Sequence, residues 1–366
     1  MENLTHTLLG VTLAKTGLGR WTRWATPALV IGSNLPDVDV LFVRFGEPFA
    51  YLTHHRGVSH AAVGMVGLAV LLTVVLWGWD RLSRAPRPHD TCPLSFARVF
   101  VLSLIGTASH TLLDFTNSYG VRPWLPFDDR WVYGDLVFIV DPWLWLILGG
   151  PLVCLTWRWG WRAIGYGIVA GVLTWIVVVV GAGRVPGPVR WVWGAGLLMI
   201  AAARWIQAGR YGPRLARGAL AGVVVYWAGL GVAHRMALED ANRYVERVLD
   251  NRPVRTLAVM PQPADPFRWF LVAETDSVLY AGQVDLLSPN TIQPPLDPVP
   301  RTLDHQAVRA ALQTPSGRIM RAFARYLFAE VQHTEQGYLV VLRDLRFGRS
   351  NTDGFAVVRI PLRGGS

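Results

Sequence analysis

The chain has 366 residues, of which 52% are apolar and 16% charged, against about 25% charged residues in a typical soluble domain. Its formal charge is +10 with a mean hydropathy of +0.30, and every basic residue except Lys15 is an arginine. These values exclude a disordered, collagen-like or disulfide-rich secreted chain, and the two cysteines, Cys92 and Cys154, make neither a disulfide framework nor a thiolate zinc site.

The N-terminus, MENLTHTLLG, carries Glu2 and no basic region, unlike a standard signal peptide. A stretch at 25–43 is apolar enough to dip into a membrane. Apolar runs follow at 61–79, 98–115, 136–157, 163–183, 189–206 and 218–233, which predicts about six membrane spans of roughly 20 residues each. Tryptophans cluster at their ends, among them Trp77, Trp79, Trp143, Trp145, Trp157, Trp159, Trp191 and Trp205, as in interfacial belts. From 142 to 238 there is no aspartate or glutamate, a run too long and too apolar for a soluble surface.

Sixteen of the seventeen tryptophans precede Arg252, where the composition breaks. Beyond it, strand-like runs lie at 256–260, 269–275, 278–287, 338–346 and 355–362, and 304–331 reads as a helix broken near Pro315-Ser316-Gly317. The expected fold is a polytopic α-helical membrane protein with a C-terminal soluble α+β domain. It divides into a metal-site membrane region at 1–157, further spans at 158–251 and the soluble domain at 252–366. No internal repeat stands out.

The arginines lie between apolar runs, not in a stripe that would track nucleic acid, so no nucleic-acid partner is expected. Arg81, Arg84, Arg87 and Arg98, then Arg158 and Arg162, then Arg204, Arg210, Arg214 and Arg217 follow alternate spans. The positive-inside rule puts these loops in the cytoplasm and residues 1–60 and the C-terminal domain outside.

Chemistry-bearing residues crowd into the first 141 positions: His6; Asp37 and Asp39 in NLPDVD; His54, His55 and His60 in HHRGVSH; His110 and Asp114 in SHTLLD; then Asp128, Asp129, Asp135 and Asp141. Imidazoles with carboxylates are the usual ligands for zinc and similar divalent ions. Asp37 and Asp39 would point to one side of an extended stretch. His110 and Asp114 would share one face of a helix. Gly57 could turn the chain so that His60 opens the first span. That span runs away, the second returns, and the third opens with Asp135 and Asp141, so the groups gather at one membrane face. Ionisable residues within spans point to function by default.

Bland readings stand beside these. His54 or His55 alone suits an interfacial histidine; Asp37 or Asp39 alone suits a cap or turn. His110 with Asp114 could staple two spans. Asp128 and Asp129 beside Arg130 read as loop charges, and Asp141-Pro142 as a helix start. Arg56 could pair with Asp37 or Asp39, or bind phosphate. His89, His234, His305 and His333 lack ligand-like company and read as structural. There is no G-x-S-x-G elbow, Walker A loop, H-E-x-x-H or dinucleotide fingerprint.

In order, THTLLG at 5–10, then LPDVD, HRGVSH, SHTLLDFTNSYG and PFDDR…FIVDP resemble the membrane-bound metal-dependent hydrolases of the bacterial inner membrane, related to the YdjM-type proteins. The resemblance covers residues 1–145, and the later PFRWF and LRDLRF segments resemble longer members. It implies a ligand set of His6, Asp37, Asp39, His55, His60, His110 and Asp114, with Asp135 and Asp141 matching acidic positions of longer members. Ser59 stands where related sequences often show Thr. The His-x-x-x-Asp spacing is also similar to zinc-dependent phospholipase C and P1-type nucleases.

The resulting expectation is a multi-pass inner-membrane hydrolase holding a divalent ion, zinc first. Asp39 would serve as ligand or general base and Arg56 would bind substrate phosphate. The substrate would be an ester or phosphoester, lipid-linked because the site lies at the edge of the bilayer. The main alternative is a non-catalytic membrane protein whose structural metal supports presentation of its C-terminal domain. A transporter is disfavoured, since its polar residues would lie at mid-depth in several spans.

Overall fold

The computed structural model describes residues 1–43, 49–83, 94–157, 160–206, 208–249, 252–349 and 354–363. His89, Cys92, Arg84, Arg87, Arg158 and Trp159 lie outside the described residues. The helices in chain order are α1 (Asn3–Lys15), α2 (Ala25–Gly32), α3 (Asp39–Val43), α4 (Ala50–His54), α5 (Ala62–Leu82), α6 (Phe96–Phe115), α7 (Pro142–Thr156), α8 (Trp161–Trp175), α9 (Gly187–Trp205) and α10 (Pro213–Val248). Strands β1 (Thr256–Gln262), β2 (Asp265–Glu274), β3 (Val278–Asp285) and β4 (Asp297–Pro300) follow, then α11 (Gln306–Gln313), α12 (Pro315–Phe323), β5 (Leu327–Thr334), β6 (Gly337–Asp344) and β7 (Val357–Arg363). The chain divides into two compact units: Met1–Val38, Val58–Val232 and Pro261–Pro266 form the first, and Asp39–Gly57, Ala233–Met260 and Phe267–Ser366 the second.

The first unit is helical. Each of the six expected apolar runs contains a helix, but among the described residues only four helices are long and apolar enough to cross a membrane: Ala62–Leu82, Phe96–Phe115, Trp161–Val180 and Pro213–Val248. Six spans are not confirmed, and α7 and α9 fall short for physical reasons. Asp141 caps α7, accepting from the amides of Trp143 and Leu144 at 2.8 and 3.1 Å, and Pro142 opens its first turn. Residues 136–140 are thereby excluded, and the 15 residues of α7 rise only about 22 Å, short of a hydrocarbon core of about 30 Å. In α9, Arg190 and Arg204 dilute an otherwise apolar helix.

Helices α1, α2 and α6 pack closely where side chains are missing. A Cβ on Gly106 would lie 2.9 Å from the Leu29 carbonyl oxygen and 3.0 Å from the Gly32 Cα, and one on Gly10 would lie 3.0 Å from the Leu29 carbonyl oxygen. Small residues let backbones approach in this way inside a membrane protein. Leu29, Ala25 and Ala28 of α2 fill the space beside Val99 and Leu102 of α6.

In the second unit, β1–β2–β3–β4 form one sheet and β5–β6–β7 another, with antiparallel pairing from β2 to β4 and through β5–β7. Ala237, Ala241, Val245 and Leu249 recur every four residues along and just past α10 and pack against Val259, Trp269, Leu271 and Val284 of the first sheet. The expected helix at 304–331 is corrected. The break near Pro315 is present, between α11 and α12, but from Leu327 the segment becomes strand β5, paired along its length with β6. Buried Asp344 receives Arg346 at 2.6 Å and the amide of Arg325 at 2.9 Å, fixing the LRDLRF segment.

Candidate metal centre

Four side chains from three separated parts of the first unit converge. Asp37 lies in the 3-10 turn Leu35–Val38 after α2, His60 closes the 3-10 turn Val58–His60 before α5, and His110 and Asp114 lie one turn apart near the end of α6. One ligand atom from each falls within 4.8 Å of all the others. His60 Nε2 lies 3.0 Å from His110 Nε2 and 3.2 Å from Asp114 Oδ2. Asp37 Oδ1 lies 3.5 Å from His60 Nε2 and 3.4 Å from His110 Nε2, and Asp114 Oδ2 lies 3.5 Å from His110 Nε2. His60, His110 and Asp114 are buried and Asp37 is nearly so.

These separations suit a cation. Ligand atoms placed tetrahedrally at about 2.0–2.1 Å from a metal would lie about 3.3–3.4 Å apart. The hydrogen bonding agrees. His110 Nδ1 lies 2.8 Å from the Ser33 carbonyl oxygen, which can only accept, so Nδ1 carries the proton and Nε2 of a neutral ring offers its lone pair. The Ser59 hydroxyl lies 2.9 Å from His60 Nδ1 and orients that ring. The close packing of Gly32 against Gly106 brings the Ser33 carbonyl to α6.

His6 completes the buried wall. Its ring stacks on His110 with centroids 3.8 Å apart, and its Nε2 lies 3.5 Å from Asp114 Oδ1. Burial and the neighbouring His110 push its pKa down to about 3, so the imidazole is neutral. Glu2 sets this helix start: it caps the Thr5 amide at 2.7 Å and accepts from Trp145 Nε1 at 2.7 Å. The α-amino group of Met1 also contacts Asp114. No sequence signal announced Glu2 or the Ser33 carbonyl as supports, because one depends on a distant tryptophan and the other is main chain.

Asp39, His55 and Arg56 belong to the second unit. His55 Nδ1 lies 3.0 Å from Asp39 Oδ1, and the Arg56 amide donates to Asp39 Oδ2 at 3.1 Å. Arg56 is buried and turns the chain with a φ of 57°. The extended stretch expected for Asp37 and Asp39 is corrected: the chain is helical there, with Pro36 in the 3-10 turn and α3 starting at Asp39. Asp141 caps α7 and accepts from the Tyr226 hydroxyl at 2.8 Å. Asp128 pairs with Arg130 on the surface. His54 is exposed, while His234 packs against Trp269, and His305 and His333 against Tyr338.

The YdjM inner membrane protein family matches residues 1–185, half of the chain. The uncharacterised protein YfhP of Bacillus subtilis (strain 168) is 22% identical over 154 residues, covering 40% of this chain and 43% of that protein. The chain thus spans less than half the length of the curated relative it matches. No solved structure matches.

Proposed function

Because this chain belongs to the YdjM inner membrane protein family, we propose that it is a multi-pass inner-membrane hydrolase that depends on a divalent metal. The two shorter apolar helices, α7 and α9, would accompany the four spans in the bilayer. The observation that carries the reading is the convergence of His60, His110, Asp37 and Asp114 at tetrahedral-edge distances around one point. Zinc suits this nitrogen and oxygen donor set. When bound, such an ion supplies Lewis acidity for hydrolysis of an ester or phosphoester.

The chain's own residues would do the rest. Ser33 and Ser59 hold the two imidazoles in orientation, and neutral His6 keeps the pocket wall dry beside His110. A site at the start of α5 and the end of α6 favours a lipid-linked substrate.

A second reading rests on the same geometry. Four protein donors, three buried and Asp37 nearly so, also suit a structural metal site. Metal analysis of the detergent-purified chain, wild type beside His110→Ala, combined with turnover of phosphodiester, phospholipid and ester panels, separates the two. Stoichiometric metal with turnover, both lost in the variant, supports the hydrolase. Metal without turnover favours the structural role, and a metal-free wild type overturns both.

A further inference from the structure

The second unit carries a cationic surface that the metal centre does not use. From His305 to Ala329 the chain has no aspartate or glutamate, yet it holds Arg309, Arg318, Arg321 and Arg325. Helices α11 and α12 form a tight hairpin there, since a Cβ on Gly317 would collide with the Ala311 carbonyl oxygen. Their apolar sides are buried, Ala307, Val308 and Ala311 on α11 and Gly317, Met320 and Phe323 on α12. Arg309, Arg318 and Arg321 are exposed.

Other arginines of this unit are neutralised: Arg268 by Asp285, Arg301 by Glu274 and Arg349 by Asp297. Arg325 lies over the Tyr326 ring at 5.2 Å. Among the described residues, Arg309 and Arg321 have no ion-pair partner, and Arg318 gives only one N–H group, to the Gln313 carbonyl at 2.7 Å. Three guanidinium groups on an acid-free face are therefore left for an anion.

Two covalent ties keep this unit near lipid. Helix α10 has 36 residues, about 54 Å, of which a hydrocarbon core takes about 30 Å. Its last turns, from Ala237 on, pack on the first sheet, so the unit does not hang from a flexible linker. The second tie is residues 55–61, which lead from α4 to the membrane-crossing helix α5. Helix α4 packs on α12: Tyr51 meets Phe355, and Phe355 meets Phe323, with ring centroids 5.8 and 5.9 Å apart.

We propose that the α11–α12 hairpin docks the second unit on anionic phospholipid headgroups through Arg309, Arg318 and Arg321. Guanidinium groups match phosphate oxygens in charge and geometry. The apolar sides of both helices are already buried, so the contact is with headgroups and not with acyl chains. Tethering makes the encounter intramolecular, so individually weak contacts suffice. The docking is independent of any reaction at the metal centre.

Hydrogen exchange of the full chain in nanodiscs of phosphatidylglycerol or phosphatidylcholine tests it. Amides of residues 306–323 should exchange more slowly in phosphatidylglycerol by at least about fivefold, the effect of one arginine at an anionic surface. Salt at about 1 M, where the screening length is about 3 Å, should erase the difference. Arg309→Gln/Arg318→Gln/Arg321→Gln should exchange alike in both lipids. Arg268→Gln/Arg349→Gln, which removes paired arginines, should keep the wild-type difference. Equal exchange of wild type in the two lipids overturns the proposal, as does a difference that survives the triple variant. Protection that follows the number of chains per disc and not the lipid would assign the hairpin to a second copy, and overturns it too.

Discussion

His60 and His110, 50 residues apart in the chain, face each other Nε2 to Nε2 at 3.0 Å. A ring nitrogen that carries a lone pair has no reason to approach another so closely in a dry interior unless a cation or proton is shared between them. With Asp37 and Asp114 closing the remaining corners, the pair defines where charge is to be held.

Metal removal should therefore destabilise the first unit. A ligand present at a hundred times its Kd stabilises the folded state by about 2.7 kcal/mol. Thermal unfolding of the purified chain should show a lower Tm after chelator treatment, restored by adding the ion back. In His60→Ala the chelator should change nothing; a chelator effect that persists there would place the ion elsewhere.

Ser59 orients His60 without entering the donor set. Replacing such an outer partner typically costs about 10–100-fold in metal affinity. Competition titration with a chromogenic chelator should find Ser59→Ala weakened by at least about tenfold at unchanged stoichiometry. Ser59→Thr, which keeps the hydroxyl, should bind like wild type.

Gly106 permits the approach of α2 to α6 that delivers the Ser33 carbonyl to His110. A methyl group there would meet backbone at 2.9–3.0 Å, and overpacking of this kind costs about 1–3 kcal/mol. Gly106→Ala should lower both Tm and metal affinity. Gly67→Ala, which meets nothing within 4 Å, should leave both unchanged; equal behaviour of the two variants would refute the role of the close contact.

Asp344 and Arg346 form a buried pair in the second unit. Removing one partner strands the other charge, at a cost of about 3–5 kcal/mol. Limited proteolysis should cut the region after α10 in Asp344→Asn much faster than in wild type. Metal content should be retained, since the metal centre lies wholly in the first unit.

Some of this was legible in one dimension. His110 and Asp114 are four residues apart, and helical geometry alone places them on one face. The return of α6 toward the start of α5 follows from two successive spans, which brings His60 near them. Asp37 was legible as a residue type but not in its conformation, because Pro36 fits a helical turn as readily as an extended chain. Span lengths were harder. Apolar composition runs unbroken through 136–157, and only the capping of α7 by Asp141 shows where the helix begins. Leu327 onward reads as helix from its neighbours, yet pairing with β6 makes it a strand.

The sequence by itself determined a membrane protein, its chemistry-bearing residues and their arginine-rich, acid-free scaffold, since hydropathy and residue type are local properties. Only the tertiary structure decided which donors meet. It set Asp37, His60, His110 and Asp114 around one point, and paired Asp39 with His55 and the Arg56 amide in the other unit. The reason is that a metal site depends on distances of a few ångströms between segments far apart in the chain. Those distances are set by backbone contacts, such as Gly32 against Gly106 and the Ser33 carbonyl on His110, that no side-chain pattern encodes.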